Sequence, residues 1–168
     1  MVFMMHYQFI REIIEIKKNV SAEAMSYFSS DDTIFNDHFP GTPLVPGALM
    51  VELMAQTAGW LIGYSTDFAK KSVLATVDNA KFRHNVRPEM AIFSSVQLTA
   101  IHHNRAAVKA KIEIPMEHKR QLCASADIGF YLHDLNDQPS ENSIFNKAQI
   151  QPWMKKSFQD LARKLSIE

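Results

Sequence analysis

The chain has 168 residues, 46% of them hydrophobic and 21% charged, which suits one domain with a core of its own and hardly two. Lys plus Arg and Asp plus Glu balance at eighteen each, so no overall field recruits nucleic acid or a membrane surface, and any charged partner must be met locally. A single cysteine, Cys123, excludes an intrachain disulfide and a cysteine metal cluster, in keeping with a reducing, cytoplasmic setting.

The opening run MVFMMHYQF is apolar but lacks the basic start and small-residue cleavage site of a secretion signal. It is expected to be a strand or an arm packed on the core. Ile14, Ile16 and Val20 interleave with Glu15, Lys17 and Asn19, the pattern of a half-buried strand. Residues 29–37 are turn-forming. His38 to Gly47 then holds three prolines and two glycines in ten residues, a density that only a stiff, ordered loop accommodates.

From Ala48 to about Tyr64 there is no proline and almost no charge. Leu49, Leu53, Gln56 and Trp60 recur at helical spacing, as do Met50, Met54, Thr57 and Leu61. A helix that is apolar on nearly every side is a buried one. At about 25 Å it falls short of the roughly 30 Å of a bilayer core, so a core helix is expected and not a membrane span. Glu52, in the expected first turn, is costly if charged and unpaired in such a place. It is a helix-start acid favoured by the macrodipole, or one half of an acid–base pair with His38 at the head of the loop. His38, for its part, can equally be a loop residue bonded to the backbone.

Residues 65–71 form a polar connection, and Ser72–Asp78 is rich in β-branched residues and predicts a strand. Asn79 to Pro88 carries positive charge, including Lys81, Arg83 and Arg87. Three alternating segments follow at 91–101, 105–114 and 121–132, joined by short polar turns that imply hairpins. Period two with one apolar face means an antiparallel sheet packed on one side, and only the helix from Ala48 can fill that face. His102 and His103 fall in a turn with no carboxylate or thiol to complete a metal set, and His6, His84, His118 and His133 are expected to be surface histidines too. Cys123 alternates onto the polar or helix-free side and is expected to be inert. Residues 136–150 are expected to be a linker between a domain at 1–135 and a helical extension at 151–168. There Pro152 opens a helix with Met154, Phe158, Leu161 and Leu165 on one stripe and Lys155, Lys156, Arg163 and Lys164 near the other face. This helix is expected to dock on the body or on a second subunit, a basic face for an acidic protein or lipid surface being the other option.

Read whole, H-F-P-G-x-P-x-x-P-G-x-L-x-x-E-x-M-A-Q, from His38 to Gln56, closely resembles the signature of the β-hydroxyacyl-(acyl carrier protein) dehydratases. The looser resemblance runs from about Lys18 to about Leu132 and leaves out the C-terminal tail. It implies an α+β hot-dog fold, an antiparallel sheet wrapped around one long central helix, here with an added C-terminal amphipathic helix. It implies dehydration of a 3-hydroxyacyl thioester to the trans-2-enoyl product, with His38 taking the C2 proton and Glu52 protonating or orienting the departing hydroxyl. A neutral imidazole can accept that proton near pH 7, and a carboxyl in a dry site can keep one to give. Gly47 would offer its amide to the thioester carbonyl, while Gln56 would bond within the site and Phe39 would pack against the acyl chain.

The same resemblance implies that His38 and Glu52 meet across a homodimer interface, with assembly beyond the dimer open. It implies no cofactor beyond the phosphopantetheine of an acyl carrier protein, whose acidic surface Lys81, Arg83 and Arg87 would greet. Relatives that also isomerise the double bond carry Asp where this chain has Glu52, which points to the plain dehydratase branch. The segment AKFRHNVRPEM departs from the family pattern at Asn85, Glu89 and Met90, which replace Pro, Gly and Asp. Chain length and substrate class are thereby open. So are a thioesterase or an enoyl-coenzyme A hydratase on the same fold, and a non-catalytic acyl-binding subunit.

Overall fold

A computed structural model of the chain describes residues 8–136 and 147–165. Six strands form one antiparallel sheet: β1 Glu12–Lys17, β2 Ser21–Ser26, β3 Lys70–Phe82, β4 Ile92–Ile101, β5 Arg105–Met116 and β6 Lys119–Asp134, in the order β1-β2-β4-β5-β6-β3. Helix α1, Gly47–Ser65, lies against one face of it, and helix α2, Lys147–Leu161, follows the last strand. This is the sheet packed on one helix that the pattern predicts, and the hot-dog architecture that the resemblance implies. Residues 1–7, and with them most of the apolar opening run and His6, lie outside the described residues, as do 137–146 of the expected linker.

The core sits between α1 and the concave face of the sheet. Leu53, Met54, Ala58, Leu61 and Ile62 of the helix have no exposed surface, and Ile92, Val96, Val108, Ile112, Ala124 and Ile128 meet them from three strands, β4, β5 and β6. Each fully buried side chain of that size contributes about 1.5–3 kcal/mol relative to exposure. Inside this apolar layer Thr57 Oγ1 bonds the Leu53 carbonyl at 2.8 Å and Ser94 Oγ at 2.8 Å. Two buried hydroxyls thus satisfy each other and tie the helix to β4.

Single-residue register shifts interrupt the ladders: Ile14, Ala75 and Thr99 are each an extra residue between paired neighbours, and a further irregularity falls between Asp78 and Lys81. Such bulges bend a strand and increase its twist, which lets the sheet curl around α1. A similar shift corrects the reading of Cys123. Ile112 pairs with Ala124 and Glu113 with Leu122, so Cys123 is the extra residue and turns inward, with no exposed surface. Burial pushes its thiol upward in pKa.

Other expectations shift at their edges. Val20 lies in the turn after β1 and is exposed. Strand β2 has no sequence signal, since its alanines and serines are poor strand formers, and pairing to β1 and β4 makes it one. Helix α2 already begins at Lys147, within the expected linker, and runs through Pro152. Proline lacks the amide donor a helix interior uses, so docking sustains this helix more than propensity does. Met154, Phe158 and Leu161 are buried against α1. Phe158 stacks on Tyr64 at 5.1 Å and meets Phe68 and Trp60 at 5.3 and 6.3 Å, while Trp60 meets Trp153 at 6.1 Å. Gly63 permits the approach, because a Cβ there would stand 3.3 Å from Met154 Cε and 3.1 Å from the Phe68 ring. The helix therefore docks on its own chain's body, and Lys164 reaches Glu12 of β1 at 3.0 Å.

Both tryptophans of the chain lie at this seam, so their emission reports whether α2 is docked. Phe158→Ala should red-shift it and cost about 3 kcal/mol in urea unfolding, while far-ultraviolet dichroism of the sheet persists. Cys123 should resist a thiol reagent in the folded protein and react fully once denaturant opens β6.

Candidate active site

The organising loop is stapled at its head and tail. The His38 carbonyl accepts the Leu44 amide at 3.0 Å, and His38 Nδ1 lies 3.1 Å from the Leu44 carbonyl. A carbonyl only accepts, so Nδ1 carries a proton, and in the neutral ring the lone pair is on Nε2. The ring stacks on Phe39 at 4.2 Å, and the Val45 amide ties the loop's end to the Val86 carbonyl at 2.8 Å. His38 is half-buried, and Phe39, 52% exposed, is covered only in part by its own chain.

Helix α1 starts at Gly47 with Pro46 as its cap. Glu52 therefore sits in the second turn, and no acid occupies the first. The macrodipole fades within the first turn, so the helix-start explanation of Glu52 loses its basis. The carboxylate is half-buried, and Glu52 Oε1 accepts Gln56 Nε2 at 2.8 Å. The other end of that amide, Gln56 Oε1, accepts the Phe9 backbone N–H at 3.0 Å. Gln56 thus locks Glu52 to the N-terminal segment, a coupling that no spacing rule revealed.

Within one chain His38 and Glu52 do not bond each other; each is oriented by its own partner, Leu44 and Gln56. The Gly47 amide has no acceptor among the described residues, as the first N–H of a helix requires. A side chain at Gly47 would meet the Phe82 ring at 3.0 Å, so Phe82 lies across the helix start and only glycine lets it. Phe82, half-exposed at the end of β3, was not singled out by pattern.

Lys81, Arg83 and Arg87 are all exposed. Arg83 Nη1 bonds Ser125 Oγ at 3.0 Å, which leaves Lys81 and Arg87 as the cations without a side-chain hydrogen bond among the described residues. The departure at Glu89 is accommodated locally. Its φ of 64° is the left-handed conformation that a glycine adopts without strain. Here the Glu89 amide donates to the Phe28 carbonyl at 2.8 Å and its carboxylate accepts the Ser30 amide at 2.6 Å. The Ser30 backbone bond holds the Glu89 carboxyl below the usual range.

A cavity of about 310 Å³ opens from Glu52 along α1, past Gln56 and Gly59 to Trp60. Lys71 and Leu74 of β3 and Trp153 and Met154 of α2 close it. That volume suits a small organic group. Sequence reading left Lys71 in a polar connection, and nothing in its neighbours marks it as facing the site. Among the described residues no group of three or more His, Cys, Asp or Glu could hold a metal ion, and no helix is long and apolar enough to cross a membrane.

The chain resembles known proteins in the same region. It is 29% identical over 127 residues to a 3-hydroxyacyl-[acyl-carrier-protein] dehydratase FabZ of Listeria welshimeri, covering 75% of this chain and 85% of that one. Among solved structures, a dehydratase heterocomplex from Xenorhabdus doucetiae superposes with a TM-score of 0.59 at 12% identity, over 80% of this chain and 85% of that one. A thioesterase from Haemophilus influenzae superposes at 0.57 and 17%, over 77% and 82%. At such identities the superpositions speak for the hot-dog fold alone. The family model described as the FabA-like domain matches residues 4–125, and with the dehydratase motif in register inside that span, the chain belongs to the FabA-like domain family.

Proposed function

We propose that this protein dehydrates a 3-hydroxyacyl thioester, carried on the phosphopantetheine of an acyl carrier protein, to the trans-2-enoyl thioester. The observation that carries the reading is the preparation of the two reacting groups. The Leu44 carbonyl fixes the tautomer of His38 so that Nε2 faces outward as a base, and Gln56 holds the Glu52 carboxyl in place. In the proposed step Nε2 takes the proton from C2, the C2–C3 double bond forms, and the C3–O bond breaks. The leaving hydroxyl takes the Glu52 proton and departs as water, and transfer of a proton from the imidazolium back to the carboxylate resets the pair. The unpartnered Gly47 amide stabilises charge on the thioester carbonyl as C2 is deprotonated.

A homodimer completes this site. Strand β3 is bonded to β6 along one edge only, and from Leu74 to Phe82 every residue is exposed, with Leu74 at 43%, Val77 at 38% and Phe82 at 53%. A thirteen-residue edge with apolar side chains pairs readily with a second copy. Such pairing would also cover Phe39 and Phe82 and bring His38 of one subunit to Glu52 of the other. Lys81 and Arg87 are the candidate docking charges for the acidic carrier, with Arg83 held by Ser125. The relatives called FabZ support the carrier-linked substrate over a coenzyme A ester.

Hydration of a crotonyl thioester should proceed with loss of enoyl absorbance and without free thiol; thiol release would assign a thioesterase instead. His38→Ala and Glu52→Gln should each lower kcat by about 10²–10⁴-fold while the protein stays folded. Co-expressed as a mixed population, these two variants should regain about a quarter of the wild-type rate, since half the dimers are mixed and each mixed dimer holds one intact pair. No recovery would place both groups of a pair in one subunit.

A further inference from the structure

The cavity beside Glu52 carries a cation that the proposed reaction does not use. Lys71 sits near the start of β3, half-buried, with its Nζ 5.8 Å from the centre of the Trp153 ring, the outer reach of a cation–π contact. Among the described residues its ammonium makes no hydrogen bond and no ion pair. The acid that acts on it is Glu52 in the same cavity, in the state of the cycle in which its carboxyl is ionised. Burial pulls the ammonium below its ordinary pKa, while Glu52 acts in the opposite sense.

Part of the wall around Lys71 lies outside the matched family region. From Glu52 to Trp60 the cavity follows about two turns of α1, or roughly 12 Å. Its far wall is the Trp60–Trp153 pair, and Trp153 belongs to α2, which lies beyond the region the family match covers. An acyl chain leaving the Glu52 end along α1 therefore enters a space that the ammonium and the two indoles line together. A plain alkyl chain in that space would strip the remaining water from the ammonium and offer no acceptor in return, which is unfavourable. An oxygen on the acyl group would replace that water with a charge-assisted hydrogen bond.

We propose that Lys71 is a specificity-determining residue, and that the site takes acyl groups bearing an acceptor oxygen beyond C3, a carboxylate above all, in preference to unsubstituted alkyl chains. This rests on the dehydratase reading for the reaction but not for the binding preference. Trp153 stands behind the ammonium and limits the length of chain that fits.

The test compares pantetheine thioesters, which avoid the phosphates of coenzyme A, on the full-length protein. Trans-2-hexenoyl and trans-2-octenoyl thioesters are set against the matching monothioesters ending in a carboxylate. The wild type should favour the carboxylate member of at least one pair by tenfold or more in kcat/KM. Lys71→Met should reduce that ratio at least tenfold, Lys71→Arg should retain it, and unchanged tryptophan emission would show α2 still docked. Competitive binding of the saturated hexanoyl and adipyl thioesters gives the same ratio without turnover. Should the wild type hydrate none of the enoyl thioesters, the dehydratase reading falls, and the binding ratio still decides the role of Lys71. An alkyl preference in the wild type, or a ratio that Lys71→Met leaves unchanged, overturns the proposal.

Discussion

The enclosure of one helix governs the rest of this molecule. Helix α1 is apolar on nearly all sides, and a helix of that kind has no stable place except inside protein. The sheet supplies one wall and must curl to do so, which is why its ladders carry repeated bulges. Thr57 and Ser94 form a buried polar link between helix and sheet, each hydroxyl satisfied by the other and by the Leu53 carbonyl. Helix α2 covers the later half of α1 through Trp60, Gly63 and Tyr64. The strip of α1 from Glu52 through Gln56 and Gly59 lines the cavity.

Around that strip, chemistry depends on partners that do not react. Leu44 sets the proton on His38, Gln56 holds Glu52, and the Phe9 backbone holds Gln56 in turn. The N-terminal segment is thereby part of the candidate site's support through the Phe9 backbone. Positioning by a neighbour whose own place is secured is how a rigid scaffold keeps a pair of groups ready. Glu89 shows the same economy in a loop, where two hydrogen bonds hold a left-handed turn that the family pattern assigns to glycine.

The long free edge of β3 and the capping helix α2 pull in different directions. Edge pairing to a second copy would bury Leu74, Val77 and Phe82, on a surface that a single chain leaves open. Docking of α2 closes the other end of the cavity within the same chain and brings Trp153 behind Lys71. On the proposed reading, reaction and selection are supported by different parts of the fold: the acid–base pair by the loop and α1, and the acyl end by β3 and α2.

Much of this could be read without coordinates. The alternation at 91–101, 105–114 and 121–132 and the all-round apolar run from Ala48 mark the sheet and its helix, because periodicity reflects burial directly. The proline-rich loop identifies His38, Gly47 and Glu52 because their spacing is continuous in the chain. Tertiary contact alone decided the rest: Cys123 faces inward through a bulge, Glu52 falls in the second turn, α2 starts before its proline, and β2 is a strand by pairing alone. Likewise Phe82 over Gly47, Phe9 on Gln56 and Lys71 beside Trp153 join segments far apart in sequence. Local pattern records which side of an element is buried, whereas a one-residue register shift or a distant ring is set only by what the folded chain brings alongside.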